Sequence, residues 1–392
     1  MIINRGEYVE RLDVSAYRYH TQKVKPPPEK SLTMTSANER PLVLVTAVNG
    51  FIASWTAKAF LDAGYNVRGT TRSAKSSHSM LEAEPFKSYA SAGRFTIVQV
   101  PDITLPGAFD EAVRGCHAIA HTASPMSLNF SDPEPVINTA VKGVRSVLDS
   151  AHLSSGSGTS TVKSFVLLSS IAAVIGKKPE DNAAYRFTEA DWDNVSQNEV
   201  ARLGKQTPSM MIYKASKTAA ERAMWDFQRE ENPTFTMTAV NPVYVWGPPV
   251  LFPENPEDLN ITAKVVWTIF SGQEIPAPFG GSNGAVDVRD VARLILFAVQ
   301  EKEKADNQRF IAASGVRSEQ AVADILREAY PDRRDIIKEG TPGVGYLPDY
   351  SVPEYSPAAR VDNTKAVRVT GKEWISPKQS IIDAAKAFER YL

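Results

Sequence analysis

From Pro41 onward, short runs of β-branched and apolar residues alternate with helical segments, and this alternation restricts the fold more than any other feature of the chain. "LVLVT" fits a strand buried on both faces. "FIASWTAKAFLDAGY" has helical spacing and ends at Gly64. "NVRGTTRS", "FTIVQV", "HAIAHTA" and "VKSFVLLSS" read as four further strands. The short helix "PGAFDEAV" follows the third, and the long amphipathic "PEPVINTAVKGVRSVLDSAHL" follows the fourth. Strands and helices alternating at this spacing specify an α/β fold with a parallel, doubly wound sheet of the Rossmann type.

After Ser170 the pattern loosens. Residues 175–209 are polar with few clear elements, and "MIYKASKTAAERAMWDFQRE" is a strong helix. "TFTMTAVNPVYVWGPP" gives a strand that runs into a proline-rich loop. "VRDVARLILFAVQ", "SEQAVADILREAY" and "PKQSIIDAAKAFERYL" read as helices and "NQRFIAAS" as a strand. The division expected is an N-terminal extension at 1–40, a dinucleotide-binding domain at 41–245, and a smaller substrate-binding lobe at 246–392. Residues 285–313 are expected to return to the first domain. Pro26, Pro27 and Pro28 favour an extended, unpacked segment, so the extension is read as disordered. Met34 lies just upstream of the first strand and marks an alternative start.

Bulk properties remove several classes of function. The chain has 392 residues and a formal net charge of -1, which leaves no electrostatic footprint for nucleic acid or an anionic membrane. No run approaches the roughly 20 apolar residues that a membrane span needs. One cysteine, Cys116, rules out a disulfide within the chain and points to a reducing, cytoplasmic setting. It reads as a small buried residue before a strand rather than a nucleophile. His117 and His121 have i, i+4 spacing, but in a strand that places them about 13 Å apart, too far to share a metal. No metal site is inferred.

The turn after the first strand carries chemistry. In "VLVTAVNGFIAS" the positions spaced as G-x-x-G-x-x-G are Ala47, Gly50 and Ala53. Such turns let a backbone approach a pyrophosphate at a helix N-terminus, here at Gly50, Phe51 and Ile52. Ala53 is small enough for helix packing. If Ala47 takes a positive φ, its methyl costs roughly 1–2 kcal/mol, which weakens such a site without abolishing it. At the end of the second strand, an NAD site would place an acid about 20 residues after the turn. There is none between Tyr65 and Leu81; Arg72 and Lys75 stand there instead. In isolation they could be solvated surface charges; within a dinucleotide fold they point to a 2′-phosphate and NADP(H). Tyr213 and Lys217 in "YKASK" share a helix face. Ser169 and Ser170 end the fifth strand, and ligands in open parallel sheets bind outside the carboxyl ends of strands.

Together, "VLVTAVNGFIAS", "VRGTTRS", "PDITLPGAFDEAVRGCHAIAHTASP", "VKGVRSVLDSA", "FVLLSSIAAV", "YKASK", "NPVYVWGPP" and "VDVRDVA" resemble the extended short-chain dehydrogenase/reductase family. The branch is that of dihydroflavonol, cinnamoyl-CoA and yeast methylglyoxal reductases, which is related to the NAD-dependent epimerases and dehydratases. The resemblance covers nearly the whole chain from Leu42. It implies an NADPH-dependent reductase of an aldehyde or ketone. By that resemblance Ser170 polarises the carbonyl, Tyr213 donates the proton, and Lys217 lowers the Tyr213 pKa and holds the nicotinamide ribose. Asp102 and Ile103 match an adenine-contacting pair. Thr122 and Ala123 match the loop beside the nicotinamide ribose, and Pro242, Val243 and Val245 the segment under the nicotinamide. The chain departs from the family at Ala47, at Trp55 where His is common, and at Ala140 where many relatives carry a proton-relaying asparagine.

The alternatives are an epimerase, dehydratase or hydroxysteroid dehydrogenase on the same scaffold, and a non-catalytic NADP(H) sensor. Met126, Phe130, Met210, Met211, Trp246, Phe252 and Phe270 suggest an apolar pocket. That lining suits a small apolar carbonyl compound, such as a secondary-metabolite intermediate, and the protein is expected to work as a monomer or homodimer.

Overall fold

The β-branched runs between residues 42 and 312 form strands in a computed structural model that describes residues 40–127, 129–156, 161–177, 185–277, 284–351 and 360–392. The expected extension therefore lies, apart from Arg40, outside the described residues. The strands are β1 Leu42–Val45, β2 Asn66–Thr71, β3 Phe95–Gln99, β4 Ala118–His121, β5 Ser164–Leu168, β6 Arg186–Phe187 and β7 Thr236–Pro242. They continue with β8 Tyr244–Trp246, β9 Gly284–Asp287, β10 Gln308–Ala312, β11 Gly315–Val316 and β12 Arg360–Val361. Seven make one sheet in the order β10-β7-β5-β4-β1-β2-β3. Every pairing in it is parallel. The strand order reverses between β1 and β4, and that switch point opens a ligand crevice beyond the strands' carboxyl ends. β11, β9 and β8 form a smaller sheet.

The first eight helices are α1 Phe51–Asp62, α2 Ala74–Glu82, α3 Glu84–Ser91, α4 Asp110–Val113, α5 Pro133–Gly156, α6 Val195–Leu203, α7 Ser209–Glu231 and α8 Ile261–Phe270. The last five are α9 Val288–Gln300, α10 Lys302–Ala305, α11 Glu319–Ala329, α12 Thr364–Thr370 and α13 Pro377–Phe388. The period-2 geometry of β1 splits its side chains between two cores. Val43 and Val45 join Ala57, Phe60, Leu294 and Ile295 from α1 and α9. Leu44 joins Val147, Leu148, Met224 and Phe227 from α5 and α7 on the other face. Each large apolar side chain buried this way contributes about 1.5–3 kcal/mol. A third core gathers Trp246, Val266, Phe270, Leu326, Ile381 and Ala385, largely from α8, α11 and α13.

Two differences from the sequence reading have clear causes. α2 and α3 fill the β2–β3 connection, where no helix was expected. Their segment is rich in Ser and Ala, and each helix buries a single residue, Met80 or Phe86, so periodicity is faint. α6 lies in the polar stretch and buries only Ser196. Among the described residues, no helix is long and apolar enough to cross a membrane, and no group of His, Cys, Asp and Glu could hold a metal ion.

Candidate active site

The turn after β1 takes a left-handed residue at its first small position. Ala47 has φ 49°, in the left-handed region. The Ala47 carbonyl accepts from Gly50 N at 2.9 Å, and its own N–H donates to Thr70 Oγ1 at 3.1 Å. Gly69 on the neighbouring strand is required for this packing, since a Cβ there would lie 2.4 Å from Val48 Cγ1. Gly50 gives α1 no side-chain cap, and the first turn contains no acid. The first N–H groups of α1, around Phe51 and Ile52, therefore meet no side-chain oxygen and stay available to an anion.

Thr46 locks this turn to the end of β4. Its Oγ1 accepts from Thr122 N and Ala123 N, both at 2.9 Å. Those bonds fill its lone pairs, so its proton goes to His121 Nδ1 at 3.1 Å. This assigns the imidazole proton to Nε2. Burial and the Lys217 cation hold His121 at about 3, so the ring is neutral. Thr122 Oγ1 donates back to the Thr46 carbonyl. Sequence reasoning missed Thr46 and His121; the available signal was a polar residue at the end of each of two otherwise apolar strands.

Arg72 and Lys75 are both exposed, one just past β2 and the other in the first turn of α2. Asp102 is exposed, and its carboxylate accepts from Thr104 N and Oγ1 at 2.8 and 2.7 Å, which hold it below the usual carboxylate range. Ile103 packs where Gly143 leaves room on α5, since a Cβ at Gly143 would lie 2.7 Å from Ile103 Cδ1. Pro242 ends β7, and Val243 and Val245 are buried beside it.

Ser170 caps a short 3₁₀ turn, Ile171–Ala173, after β5. Its Oγ accepts from Ala172 N at 3.1 Å and from the Tyr213 hydroxyl at 3.4 Å. Lys217 is buried, donates to the Leu168 carbonyl at 3.4 Å, and lines a small cavity with Ala123, Ala140 and Ser169. Its burial pushes the ammonium down to about 8, against the pull of Glu221. Burial raises the Tyr213 phenol above its ordinary value, and the Ser170 bond opposes that rise. The family resemblance implies that Lys217 lowers this phenol. Here Lys217 Nζ is turned to Leu168, and burial of the phenol outweighs the Ser170 bond.

The suggested apolar lining is only partly available. Trp246 and Phe270 are core residues of the third cluster, and Phe252 packs against Tyr391. Met126 is exposed beside the β4 end.

Residues 43–313 match the model of the NAD dependent epimerase/dehydratase family. The chain belongs to this family. It is 31% identical to the NADPH-dependent methylglyoxal reductase GRE2 of Saccharomyces cerevisiae, over 89% of this chain and 98% of that one. It is 31% identical to the ketoreductase azaE of Aspergillus niger, over 84% and 92%. Among solved structures, Gre2 of Candida albicans in complex with NADPH superposes with a TM-score of 0.76 at 30% identity, covering 89% of this chain and 99% of that chain.

Proposed function

We propose that this protein is an NADPH-dependent reductase of aldehydes or ketones, acting on a small apolar carbonyl compound. The observation that carries the reading is the Ser170–Tyr213 hydroxyl pair at 3.4 Å, set at the carboxyl edge of the sheet in a family member whose relatives are named as carbonyl reductases. The turn supports the cofactor assignment: an uncapped α1 N-terminus, with Ala47, Gly50, Phe51 and Ile52 around it, suits a pyrophosphate. Arg72 and Lys75 would pair with the 2′-phosphate. Asp102 and Ile103 would flank the adenine, Thr122 and Ala123 the ribose, and Pro242, Val243 and Val245 the nicotinamide. NADPH, when bound, supplies the hydride.

The protein's share of the reaction is orientation and one proton. Ser170 Oγ already accepts from Tyr213 and Ala172, so its own O–H is free to donate to a substrate carbonyl. The Tyr213–Ser170 contact is long and exchanges readily for a contact to substrate oxygen. As the oxygen gains negative charge, the phenol transfers its proton to it. The resulting phenolate, one helical turn from Lys217 on α7, is reprotonated from solvent. The cytoplasm, a reducing compartment, suits the single buried thiol of Cys116.

The test is consumption of NADPH, followed optically, with a panel of aromatic and aliphatic carbonyls. Tyr213→Phe should lower turnover by about 10²–10⁴-fold and leave the NADPH Kd nearly unchanged. Retention of full rate would overturn the assigned mechanism. Measurable NADPH binding with no oxidation across the panel would instead favour a sensor. Arg72→Ala should weaken NADPH far more than NADH; equal weakening would refute its 2′-phosphate role.

A further inference from the structure

Behind Ser170 and Lys217 lies a buried polar cluster that the proposed reaction does not use. Glu221 sits one helical turn after Lys217 on α7 and is wholly enclosed. Its Oε2 accepts from Ser169 Oγ at 2.5 Å and from Asn241 Nδ2 at 2.7 Å. Its Oε1 accepts from Arg309 Nε at 2.6 Å and from Trp225 Nε1 at 3.3 Å. Asn241 also donates to the Ser170 carbonyl at 3.1 Å. Arg309, from β10, stacks on Trp192 at 3.9 Å and donates to the carbonyls of Ala173, Glu189 and Asp191. One carboxylate thus joins the residue before Ser170, the backbone of Ser170, the turn that Ser170 caps, and the helix carrying Tyr213 and Lys217.

A fully buried charge carries a large desolvation penalty unless its partners are complete. Four donors on one carboxylate are complete satisfaction, so stability alone accounts for the cluster's survival but not for its location. The location is specific, because three of the four donors lead to the Ser170 turn: Ser169 precedes Ser170, Asn241 bonds the Ser170 carbonyl, and Arg309 bonds the Ala173 carbonyl.

We propose that Glu221 is a positioning residue: its carboxylate holds the Ser170 turn in register with α7 and provides the buried negative charge against which the Lys217 ammonium is kept. The inference takes its functional meaning from the reductase reading, but it is tested without it. Among the described residues, the titratable and charged groups set against Lys217 and Glu221 are these. His121 from β4 is neutral, Tyr213 shares α7, and Arg309 reaches in from β10. Removing the Glu221 charge takes away the carboxylate that pairs with Arg309 and lies one helical turn from Lys217. Removing the Arg309 charge leaves Glu221 acting on Lys217 alone. The two substitutions should move the Lys217 titration in opposite directions.

The full-length protein, carrying lysine labelled with ¹³C at the ε carbon, is titrated by NMR with the Lys217 resonance assigned through Lys217→Arg. Glu221→Gln should lower the Lys217 midpoint by about one pH unit or more, and Arg309→Gln should raise it. Arg309→Lys, which keeps the charge, should leave it in place. Shifts of one sign in both charge-removing variants, or no shift in either, would overturn the proposal and leave Glu221 a structural residue. If Glu221→Gln does not fold, a downward or absent shift in Arg309→Gln has the same force. In the unsubstituted enzyme's best carbonyl assay, Glu221→Gln should lower kcat about tenfold, move the alkaline limb of the rate profile to lower pH, and leave the NADPH KM within about threefold. Failure of the unsubstituted protein to turn over any carbonyl would count against the reductase reading alone, because the NMR titration needs no substrate.

Discussion

At the scale of the residue, Ala47 is the most informative position. Its φ of 49° is the conformation that glycine adopts freely and that alanine resists by about 1–2 kcal/mol. Ala47→Gly removes that strain but loosens the unfolded chain, which takes back about 0.4–1 kcal/mol. The net expectation is a gain of about 0.5–1 kcal/mol, read from urea unfolding, with NADPH binding equal or tighter. A loss of stability would mean that the alanine methyl makes a contact worth more than its strain. The sequence made Ala47 conspicuous without deciding its conformation. The positive φ follows from the bond between Gly50 N and its carbonyl and the bond from its N–H to Thr70, and Thr70 is far away in sequence.

At the scale of the element, α1 is aimed by contacts from two directions. Gly69 on β2 lets Val48 sit against the sheet. Trp55, in the place where relatives often carry His, donates from Nε1 to the Pro248 carbonyl at 2.7 Å and so ties α1 to the segment after β8. Gly69→Ala forces Val48 aside, and it should weaken NADPH by at least tenfold in a binding titration while far-UV dichroism stays unchanged. Unaltered binding would show that the turn tolerates the shift. The strands were legible because β-branched runs such as "VLVT" and "FVLL" announce themselves, and the Tyr213–Lys217 spacing was legible because α7 has strong helical periodicity. The α2–α3 connection was not, since Ser- and Ala-rich helices with one buried side chain each carry almost no pattern. The Glu221–Arg309 pair was equally hidden. Its members are 88 residues apart, one on α7 and the other on β10, which joins the sheet beside β7.

At the scale of the whole molecule, the enclosed His121 couples folding to acidity. Its ring titrates near 3 when folded, against 6.5 as a free side chain. Below pH 6.5 the unfolded chain gains a proton that the folded chain refuses, so stability declines as pH falls toward 3, by up to about 1.4 kcal/mol per pH unit. His121→Gln should flatten that decline between pH 6.5 and 4.5 in urea melts, and an undiminished slope would locate the acid sensitivity elsewhere. The strand order has a consequence of a different kind, for biosynthesis. β7 ends at Pro242, but its outer partner β10 ends at Ala312, 70 residues later. At about 5–20 residues per second, a ribosome takes roughly 4–14 s to cover that interval. Throughout it, the nascent sheet presents the bare edge of β7 to other chains. A message truncated before Gln308 would make that exposure permanent, and its product should accumulate as aggregate, whereas trimming at the C-terminal end after α13 should leave the β10–β7 pairing intact.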